Sequence, residues 1–277
     1  MYDLVCSIVI YKNPRDQLLC AINSFLNTEL NVLLVLIDNS PYDDLKDIMI
    51  DSRIEYIHNS RNIGYGSAHN IAIKKYSKFT KYHLILNPDI YYTTGVIEEI
   101  ITFMEKDKSI GLLMPKVLYP NGDIQYLAKL LPSPFILFIR RLVPFKWIKF
   151  YFSYEFELRF SDYNTIIEAP YLSGCFMVFR TSALEKINGF DENFFMHFED
   201  LDIARRCKDA GFKNIFFPKK IIYHDHIHKS FLNIANLKMY IKSAVYYFNK
   251  YGWFFDSKRK KVNHDTIKRI KAAKQNF

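Results

Sequence analysis

The chain has 277 residues, of which 49% are hydrophobic and 24% are charged. These values are typical of a globular protein with a substantial core, and they exclude a disordered, collagen-like or coiled-coil chain. Aromatic residues reach 17%, and the formal net charge is +9. A basic, aromatic-rich surface suits nucleic acid, an anionic membrane or a phosphate-bearing ligand, and composition does not choose among them.

The cysteines and the apolar runs indicate the setting of the chain. The four cysteines are far apart and form no CxxC pair, which disfavours a cysteine zinc site or a disulfide framework and indicates a reducing compartment. No apolar run approaches the roughly 18 residues of a membrane span. The first residues lead directly into an apolar strand, so we expect no signal peptide.

The first 120 residues alternate between apolar strands and amphipathic helices. Residues 4–11 form a nearly continuous apolar run, which predicts a strand buried on both faces. Asn13 and Thr94 are predicted helix caps. The further predicted elements are strands at 32–37, 54–58, 82–86 and 110–119, and helices at 14–26, 67–79 and 94–104. This alternation predicts an α/β fold, with a parallel sheet covered by helices on both faces.

The second half of the chain has a less regular pattern. Residues 131–165 are aromatic and basic, with few signals of regular structure. Beyond them, the predicted elements are strands at 175–180, 214–217 and 221–224, helices at 182–186, 199–210 and 231–251, and a basic segment at 258–274.

Polar or glycine-rich residues follow the predicted strands of the first half. They are Tyr11, Asp38 with Asn39, residues 59–66 and residues 87–89. In open α/β sheets, ligands bind beyond the carboxyl ends of the strands. We therefore expect these residues to share one edge of the sheet and to line a binding site.

Two of these segments suit a nucleotide, and each also has a purely structural explanation. Asp38 can accept a hydrogen bond from the imide N–H of uracil or thymine, or it can form an Asx turn before Ser40. The loop with Asn62 and Gly64 opens a helix, where backbone N–H groups and the helix dipole favour a phosphate. Packing glycines in a strand-to-helix turn would give the same pattern.

Candidate metal ligands follow two of the strands. Asp89 offers a hard oxygen ligand of the kind that Mg²⁺ or Mn²⁺ combines with substrate phosphates. An Asn/Asp-Pro turn is the alternative explanation. His224, His226 and His228 alternate, so a strand would place them on one side. They are a candidate metal site or a solvated edge strand, and we expect one of them to be functional.

The segment 196–202 carries a cluster of acids at a predicted helix start. Glu199 and Asp200 follow apolar residues, and a carboxylate in such surroundings can act as a general base. Acids in a first turn also simply complement the helix dipole. We expect Asp202 to form a surface ion pair with Arg205 and Arg206.

Two stretches, 135–154 and 246–261, mix Lys and Arg with Trp, Phe and Tyr. This mixture favours an anionic lipid surface. The alternative is a packed aromatic subdomain whose cations extend to water.

Taken together, these segments resemble the large inverting family 2 glycosyltransferases with the GT-A fold, in particular rhamnosyltransferase-type enzymes of bacterial O-antigen and cell-wall polysaccharide assembly. The resemblance spans about residues 3–230. The matching segments, in the order of the family, are 7–11, 37–40, 62–66 with Asn70, 86–89, 171–176, 189–192 and 198–202. Each motif is weak alone, but the ordered set is specific.

The resemblance implies a role for each candidate residue. Asp38 would bind the pyrimidine base of a nucleotide-sugar, and Asp89 would be the main ligand of Mg²⁺ or Mn²⁺, because Asn87 replaces the usual first acid of the motif. Asp200 would be the catalytic base beside Glu199. The other implied contacts are Tyr11, Asn62, Gly64, Asn87 and Gly174 to the nucleotide-sugar, and His224 to the metal or the diphosphate.

The resemblance also implies an activity and a setting. The enzyme would move one sugar, with rhamnose as a candidate, from a dTDP- or UDP-linked donor to a lipid-linked glycan acceptor. The Gln-x-x-Arg-Trp signature of processive synthases is absent. Residues 1–230 would form the GT-A domain, with a nucleotide-sugar half at 1–120 and an acceptor half at 121–230, and residues 231–277 a helical tail. The location would be cytoplasmic, on the anionic inner face of a bacterial plasma membrane.

Two other classes of protein compete with this interpretation. A nucleotidyltransferase requires a glycine-rich loop with Lys or Arg directly after the first strand, and residues 11–14 do not provide one. A basic protein that binds nucleic acid or a membrane without catalysis would explain the charge. The acidic cluster at 199–202 and the apolar strands give nucleic-acid binding no support, so we expect no nucleic-acid partner.

Overall fold

The computed structural model of the protein describes residues 1–48, 51–225 and 234–275. The strands are β1 (Tyr2–Ile10), β2 (Val32–Asp38), β3 (Ile54–His58), β4 (Thr80–Leu86), β5 (Ile90–Tyr91), β6 (Ile110–Leu118), β7 (Ala128–Lys129), β8 (Ile167–Glu168), β9 (Tyr171–Leu172), β10 (Phe176–Arg180) and β11 (Lys213–His224). The helices are α1 (Arg15–Leu26), α2 (Tyr65–Tyr76), α3 (Val96–Lys106), α4 (Pro134–Leu142), α5 (Lys146–Phe156), α6 (Thr181–Ile187), α7 (Glu199–Asp209), α8 (Ile234–Tyr251) and α9 (Ser257–Gln275).

A central sheet organises the molecule, with the strand order β3-β2-β1-β4-β10-β6-β11-β5. The pairs β3–β2, β2–β1 and β1–β4 are parallel, as the strand–helix alternation predicts. β10 then runs antiparallel between β4 and β6 and joins the two halves of the chain in one sheet. A separate two-stranded ladder pairs β7 with β9.

The core lies on both faces of this sheet, because alternate residues of a strand point in opposite directions. Leu4 and Ile8 of β1 pack in the cluster that contains α1 and α3. Val5 and Val9 pack on the other face, where Ala68 of α2 lies. Every residue of β2 is buried. The predicted double covering of the sheet is therefore present in its parallel half.

Two predicted helix caps are wrong. α1 begins after Pro14 without a side-chain cap, and the Asn13 side chain instead accepts from the N–H of Tyr11 at 2.9 Å. α3 begins after Gly95, which has a φ of 86°. The Thr94 hydroxyl accepts instead from the Asn27 side chain at 2.7 Å. The side chain that was expected to cap the helix forms another hydrogen bond in each case: Asn13 within a turn, and Thr94 with a distant residue.

The second half contains regular structure that the sequence pattern did not indicate. α4 and α5 occupy most of residues 134–156 and pack against each other. The two strands predicted at 214–217 and 221–224 are one strand, β11, with a shift of register between Phe217 and Ile221. Pro218 lies at this shift, where its missing N–H would break a continuous ladder.

The expected surface ion pair of Asp202 is buried instead. Asp202 is fully buried because α8 covers it, and its carboxylate binds Lys250, Tyr251 and Arg206. Arg205 does not contact Asp202 but forms a bidentate pair with Asp256, at 2.8 and 3.0 Å.

These contacts fix the C-terminal helices against α7. No described helix is long and apolar enough to cross a membrane.

Candidate active site

Asp38 and Tyr11 lie at the carboxyl edge of the parallel strands. Asp38 ends β2, is 1% exposed, and accepts from the Tyr56 hydroxyl at 2.6 Å and the Ser40 N–H at 2.7 Å. The second bond is an Asx turn, and carboxylate oxygens retain further lone pairs for a ligand. Tyr11 is 45% exposed, and the N–H of Lys12 donates to the Ser40 hydroxyl at 2.9 Å. Asp38 and Tyr11 therefore flank the same end of the sheet.

The loop of Asn62 and Gly64 is held by bonds within the protein. The Gly64 N–H donates to the Asn62 side chain at 2.9 Å, and the Tyr65 N–H donates to the Phe195 carbonyl at 3.0 Å. Gly64 has a φ of 94°, and a Cβ there would lie 2.7 Å from the Phe195 oxygen. Asn39 also donates to the Gly64 carbonyl. The loop thus requires glycine for close packing against the segment that precedes α7.

Asp89 and His224 meet at the carboxyl ends of β4 and β11. His224 Nε2 lies 3.2 Å from Asp89 Oδ1, and His224 is 7% exposed. Gln125 orients the ring: its Nε2 donates to the His224 carbonyl at 2.9 Å, which leaves its Oε1 to face His224 Nδ1 at 2.9 Å. This second contact requires a proton on Nδ1, so Nε2 is the ring nitrogen that faces Asp89.

This pair fits a divalent cation. An oxygen ligand and an imidazole lone pair face each other, and two adjacent ligands about 2.1 Å from an octahedral ion lie roughly 3 Å apart. A partner on the far ring nitrogen, here Gln125, is the usual support of a metal-binding histidine. Among the described residues, no three His, Cys, Asp or Glu side chains group closely enough to hold a metal alone. Substrate phosphates and water would complete the shell. His226 and His228 lie outside the described residues.

Asp200 lies in the first turn of α7 and is held by three donors. Its Oδ2 accepts from the Tyr171 hydroxyl at 3.0 Å and the Gly174 N–H at 2.9 Å, and its Oδ1 accepts from the Leu201 N–H at 2.8 Å. A Cβ at Gly174 would lie 3.0 Å from the Cβ of Asp200, so glycine permits this approach. The carboxylate is therefore fixed in one orientation.

Glu199 differs from Asp200 in its surroundings. Burial, and next the charge of Asp200, raise the pKa of the Glu199 carboxyl to about 8. This raised pKa favours the protonated, neutral form of Glu199 near neutral pH. His197 and Phe198, just before them, have φ values of 68° and 69°. Such values are rare for residues other than glycine and often mark functional sites.

Tyr65 lies between the segment that carries Asp89 and the segment that contacts Asp200. Its hydroxyl lies 2.9 Å from Asn87 Oδ1 and 2.9 Å from the Gly174 carbonyl. Burial raises the pKa of this hydroxyl well above its usual value, and the nearby charges of Glu199, Asp200 and Asp89 raise it further. The segments of Asp89 and Asp200 therefore meet at Tyr65 and line one cleft.

Three residues of the cleft carry no distinct signal of their own in the sequence: Tyr65, Gln125 and Tyr171. Tyr65 and Tyr171 lie inside segments that match the family, but only the folded contacts show that their side chains reach the cleft. Gln125 has no local signal, because it reaches the cleft from the less regular half of the chain.

Comparison with known proteins establishes the family. The sequence model described as glycosyl transferase family 2 matches residues 6–188, and a model described as the N-terminal domain of galactosyltransferase matches residues 155–230. The chain belongs to glycosyl transferase family 2. The predicted family is confirmed, and with it the class of enzyme, a glycosyltransferase.

Two relatives are rhamnosyltransferases. The chain is 25% identical over 253 residues to N-acetylglucosaminyl-diphospho-decaprenol L-rhamnosyltransferase of Mycobacterium tuberculosis (strain H37Rv), covering 83% of this chain and 78% of the relative. It is 27% identical over 191 residues to rhamnosyltransferase WbbL of Escherichia coli (strain K12), covering 66% and 69%. The likeness to the rhamnosyltransferase branch is thereby confirmed.

Solved structures confirm the predicted GT-A fold. GalNAc-T7 with UDP, GalNAc and Mn²⁺ has a TM-score of 0.63 at 15% identity, over 96% of this chain and 54% of that chain. The mannosyltransferase PcManGT from Pyrobaculum calidifontis, in complex with GDP-Man and Mn²⁺, has a TM-score of 0.58 at 13% identity, over 83% and 59%. The chain thus spans somewhat more than half of each of these two chains.

Proposed function

We propose that the protein is a metal-dependent, inverting glycosyltransferase that moves one sugar from a pyrimidine nucleoside diphosphate to a hydroxyl of a lipid-linked glycan. The convergence of Asp89 and Asp200 beside Tyr65 supports this proposal, because a candidate cation ligand and a rigidly held carboxylate then share one cleft. The names of the relatives favour rhamnose as the sugar. Membership of the family favours this function over a nucleotidyltransferase or a nucleic-acid-binding protein.

The donor nucleotide would lie along the carboxyl edge of β1, β2 and β4. Asp38 is buried there and would accept from the imide N–H of the pyrimidine, and the exposed ring of Tyr11 offers a face for stacking. Uracil and thymine share this imide, so a UDP- or dTDP-linked donor fits the same contacts. The loop at Asn62 and Gly64 would form a wall of the cleft through its backbone.

Asp89 and His224 would hold Mg²⁺ or Mn²⁺ against the donor diphosphate. The bound cation would neutralise the charge that develops on the leaving nucleoside diphosphate. Asn87 does not add a second carboxylate, so much of the affinity for the cation would come from the phosphates. Two of the solved structures that share the fold, GalNAc-T7 and PcManGT, contain Mn²⁺ together with UDP or GDP-Man.

Asp200 would act as the general base. The acceptor oxygen attacks the anomeric carbon from the side opposite the diphosphate, its proton passes to the Asp200 carboxylate, and the bond from the anomeric carbon to the diphosphate oxygen breaks. The configuration at the anomeric carbon is thereby inverted. Base catalysis of this kind contributes roughly 10²–10⁴-fold in rate.

The acceptor would be presented at a membrane surface. Large aromatic side chains are exposed on α5 and just before α9, among them Trp147 at 73% and Phe255 at 95%. Lys146 and Lys149 of α5 and the basic sequence of α9 accompany them. Aromatic rings mixed with cations favour an anionic bilayer. We propose peripheral binding to the inner face of a bacterial plasma membrane.

Calorimetry with UDP and dTDP tests the donor and metal parts of this proposal. We expect at least one of them to bind at least tenfold more tightly with Mn²⁺ than with EDTA. Asp89→Asn should remove this dependence on Mn²⁺, whereas Asp209→Asn, at the far end of α7, should retain it. Equal binding with Mn²⁺ and with EDTA by the unaltered protein would refute the metal-dependent site.

A further inference from the structure

A large apolar groove lies between the α4–α5 pair and α9. Its volume is about 900 Å³, at the upper end of the range for small-molecule pockets. Leu130 and Leu131 line it together with the rings of Phe135, Phe150 and Trp253. Arg259 and Lys260 of α9 also contribute to its walls. The groove therefore suits a long apolar chain whose surroundings are basic.

Two cations adjoin the residues of this groove. Lys129 directly precedes Leu130, and the guanidinium of Arg140 lies 5.1 Å from the ring centroid of Phe156, which also lines the groove. No ion pair or hydrogen bond satisfies the Lys129 ammonium within the described part of the chain. Burial lowers its pKa, and the charge of Arg140 lowers it further. Two neighbouring cations, one of them desolvated, favour an anionic ligand.

The nearby carboxylates are fewer than the cations: Glu155 lines the groove and Glu157 lies beside it, against Lys129, Arg140, Arg159, Arg259 and Lys260. Glu157 accepts from both Arg140, at 2.5 Å, and Arg159, at 2.7 Å, so one carboxylate serves two guanidinium groups. Lys129 remains as a further positive charge. A ligand with one or more phosphates would complement this excess.

The cations also connect the groove to the candidate active site. Lys129 Nζ lies 5.4 Å from the ring centroid of Tyr171, whose hydroxyl donates to Asp200. β7, which ends at Lys129, pairs with β9, which begins at Tyr171. Lys129 thus stands between Leu130, which lines the groove, and Tyr171, which contacts Asp200.

We infer that the groove is the binding site for the isoprenoid chain of a lipid diphosphate acceptor, with Lys129 and Arg140 against its diphosphate. The inference rests on the proposed function and specifies its acceptor. The chain would lie between α5 and α9, the diphosphate at the two cations, and the sugar beyond the diphosphate at Asp200. A flat bilayer surface does not explain why desolvated Lys129 lies between the groove and the base.

Direct binding tests this site without any sugar transfer. Trp147 and Trp253 are the two tryptophans of the chain, and Trp253 lines the groove. In full-length protein carrying Trp147→Phe, geranylgeranyl diphosphate below its micelle concentration should saturably shift the fluorescence of Trp253. Inorganic diphosphate alone should not shift it. Absence of a saturable shift would overturn the inference, whether or not the protein transfers a sugar.

A pair of matched variants distinguishes binding in the groove from general adsorption to exposed aromatic side chains. Phe135 and Phe145 are both 58% exposed, but only Phe135 lines the groove. Phe135→Ser should weaken binding of geranylgeranyl diphosphate at least tenfold, and Phe145→Ser less than twofold. Equal weakening by both would indicate general adsorption to aromatic surface and refute the groove.

Lys129→Met tests the diphosphate contact. This substitution should weaken the binding of geranylgeranyl diphosphate at least tenfold. The affinities for geranylgeraniol, and for UDP or dTDP with Mn²⁺, should change less than threefold. If Lys129→Met instead weakens the binding of UDP or dTDP tenfold, Lys129 belongs to the donor site and its assignment to the acceptor diphosphate is wrong.

Discussion

The buried ion pair between Arg205 and Asp256 links α7, which carries Asp200, to the start of α9. Both side chains are at most 4% exposed, and the guanidinium of Arg205 also lies 4.0 Å from the ring centroid of Tyr251. Asp256 additionally accepts from the N–H of Arg259 at 2.8 Å, which caps α9. Asp256→Asn keeps a capping oxygen but removes the charge that balances Arg205.

We expect Asp256→Asn to lower the free energy of unfolding by about 3–5 kcal/mol, because it leaves the buried Arg205 charge without a counterion. The comparison is Asp162→Asn. Asp162 is 62% exposed and pairs with Lys274, so its loss should cost about 0–1 kcal/mol. Urea unfolding, followed by circular dichroism, measures both values.

Equal and small losses in the two variants would refute this reasoning, since they would show that the Arg205–Asp256 pair contributes no more than a surface pair. A larger loss in Asp256→Asn should be accompanied by weaker sugar transfer, because the wall of the groove formed by α9 would move relative to Asp200.

Two further predictions concern protons. Ser7 contacts His69 Nδ1 at 2.7 Å and His83 Nε2 at 2.9 Å, and burial lowers the pKa of both rings, that of His83 to about 3. The unfolded chain therefore binds protons below about pH 6.5 that the folded chain does not. The free energy of unfolding should fall as the pH drops below 6.5, by up to about 1.4 kcal/mol per pH unit for His83 and further through His69. Urea unfolding at pH 7.0, 6.0 and 5.0 measures this fall, and a free energy of unfolding that does not change would contradict it. Glu199 acts in the opposite direction, because its raised pKa gives the folded chain a proton that the unfolded chain loses above about pH 4.5. Glu199→Gln should therefore make the loss of stability on acidification steeper and should retain at least a tenth of the transfer rate at pH 7; an unchanged pH dependence would show that Glu199 is ionised.

Local sequence predicted the parallel half of the molecule well, because a strand buried on both faces has a distinctive run of apolar residues. β1, β2 and β4 lie where those runs predicted them. The rule that ligands bind beyond the carboxyl ends of strands then led to Asp38 and Asp89, which need no tertiary information to be found.

The elements of the less regular second half could be located only from the structure. α4 and α5 were missed because exposed aromatic residues blur the helical periodicity, although Ser133 caps α4 and Pro134 occupies its first position. The antiparallel insertion of β10 is a long-range pairing that no local pattern contains. Asp202 was assigned to the surface because the covering helix, α8, lies about 40 residues further along the chain.

Whether Asp200 is the base of a sugar transfer is tested most directly by one pair of measurements on Asp200→Asn: the affinity for the donor nucleotide with Mn²⁺, and the rate of transfer to the acceptor. Nucleotide affinity should stay within threefold of the unaltered protein, while the rate falls roughly 10²–10⁴-fold. Asp209→Asn, the same change at the other end of α7, should leave both values in place. An Asp200→Asn variant that transfers sugar at near the original rate would contradict the account.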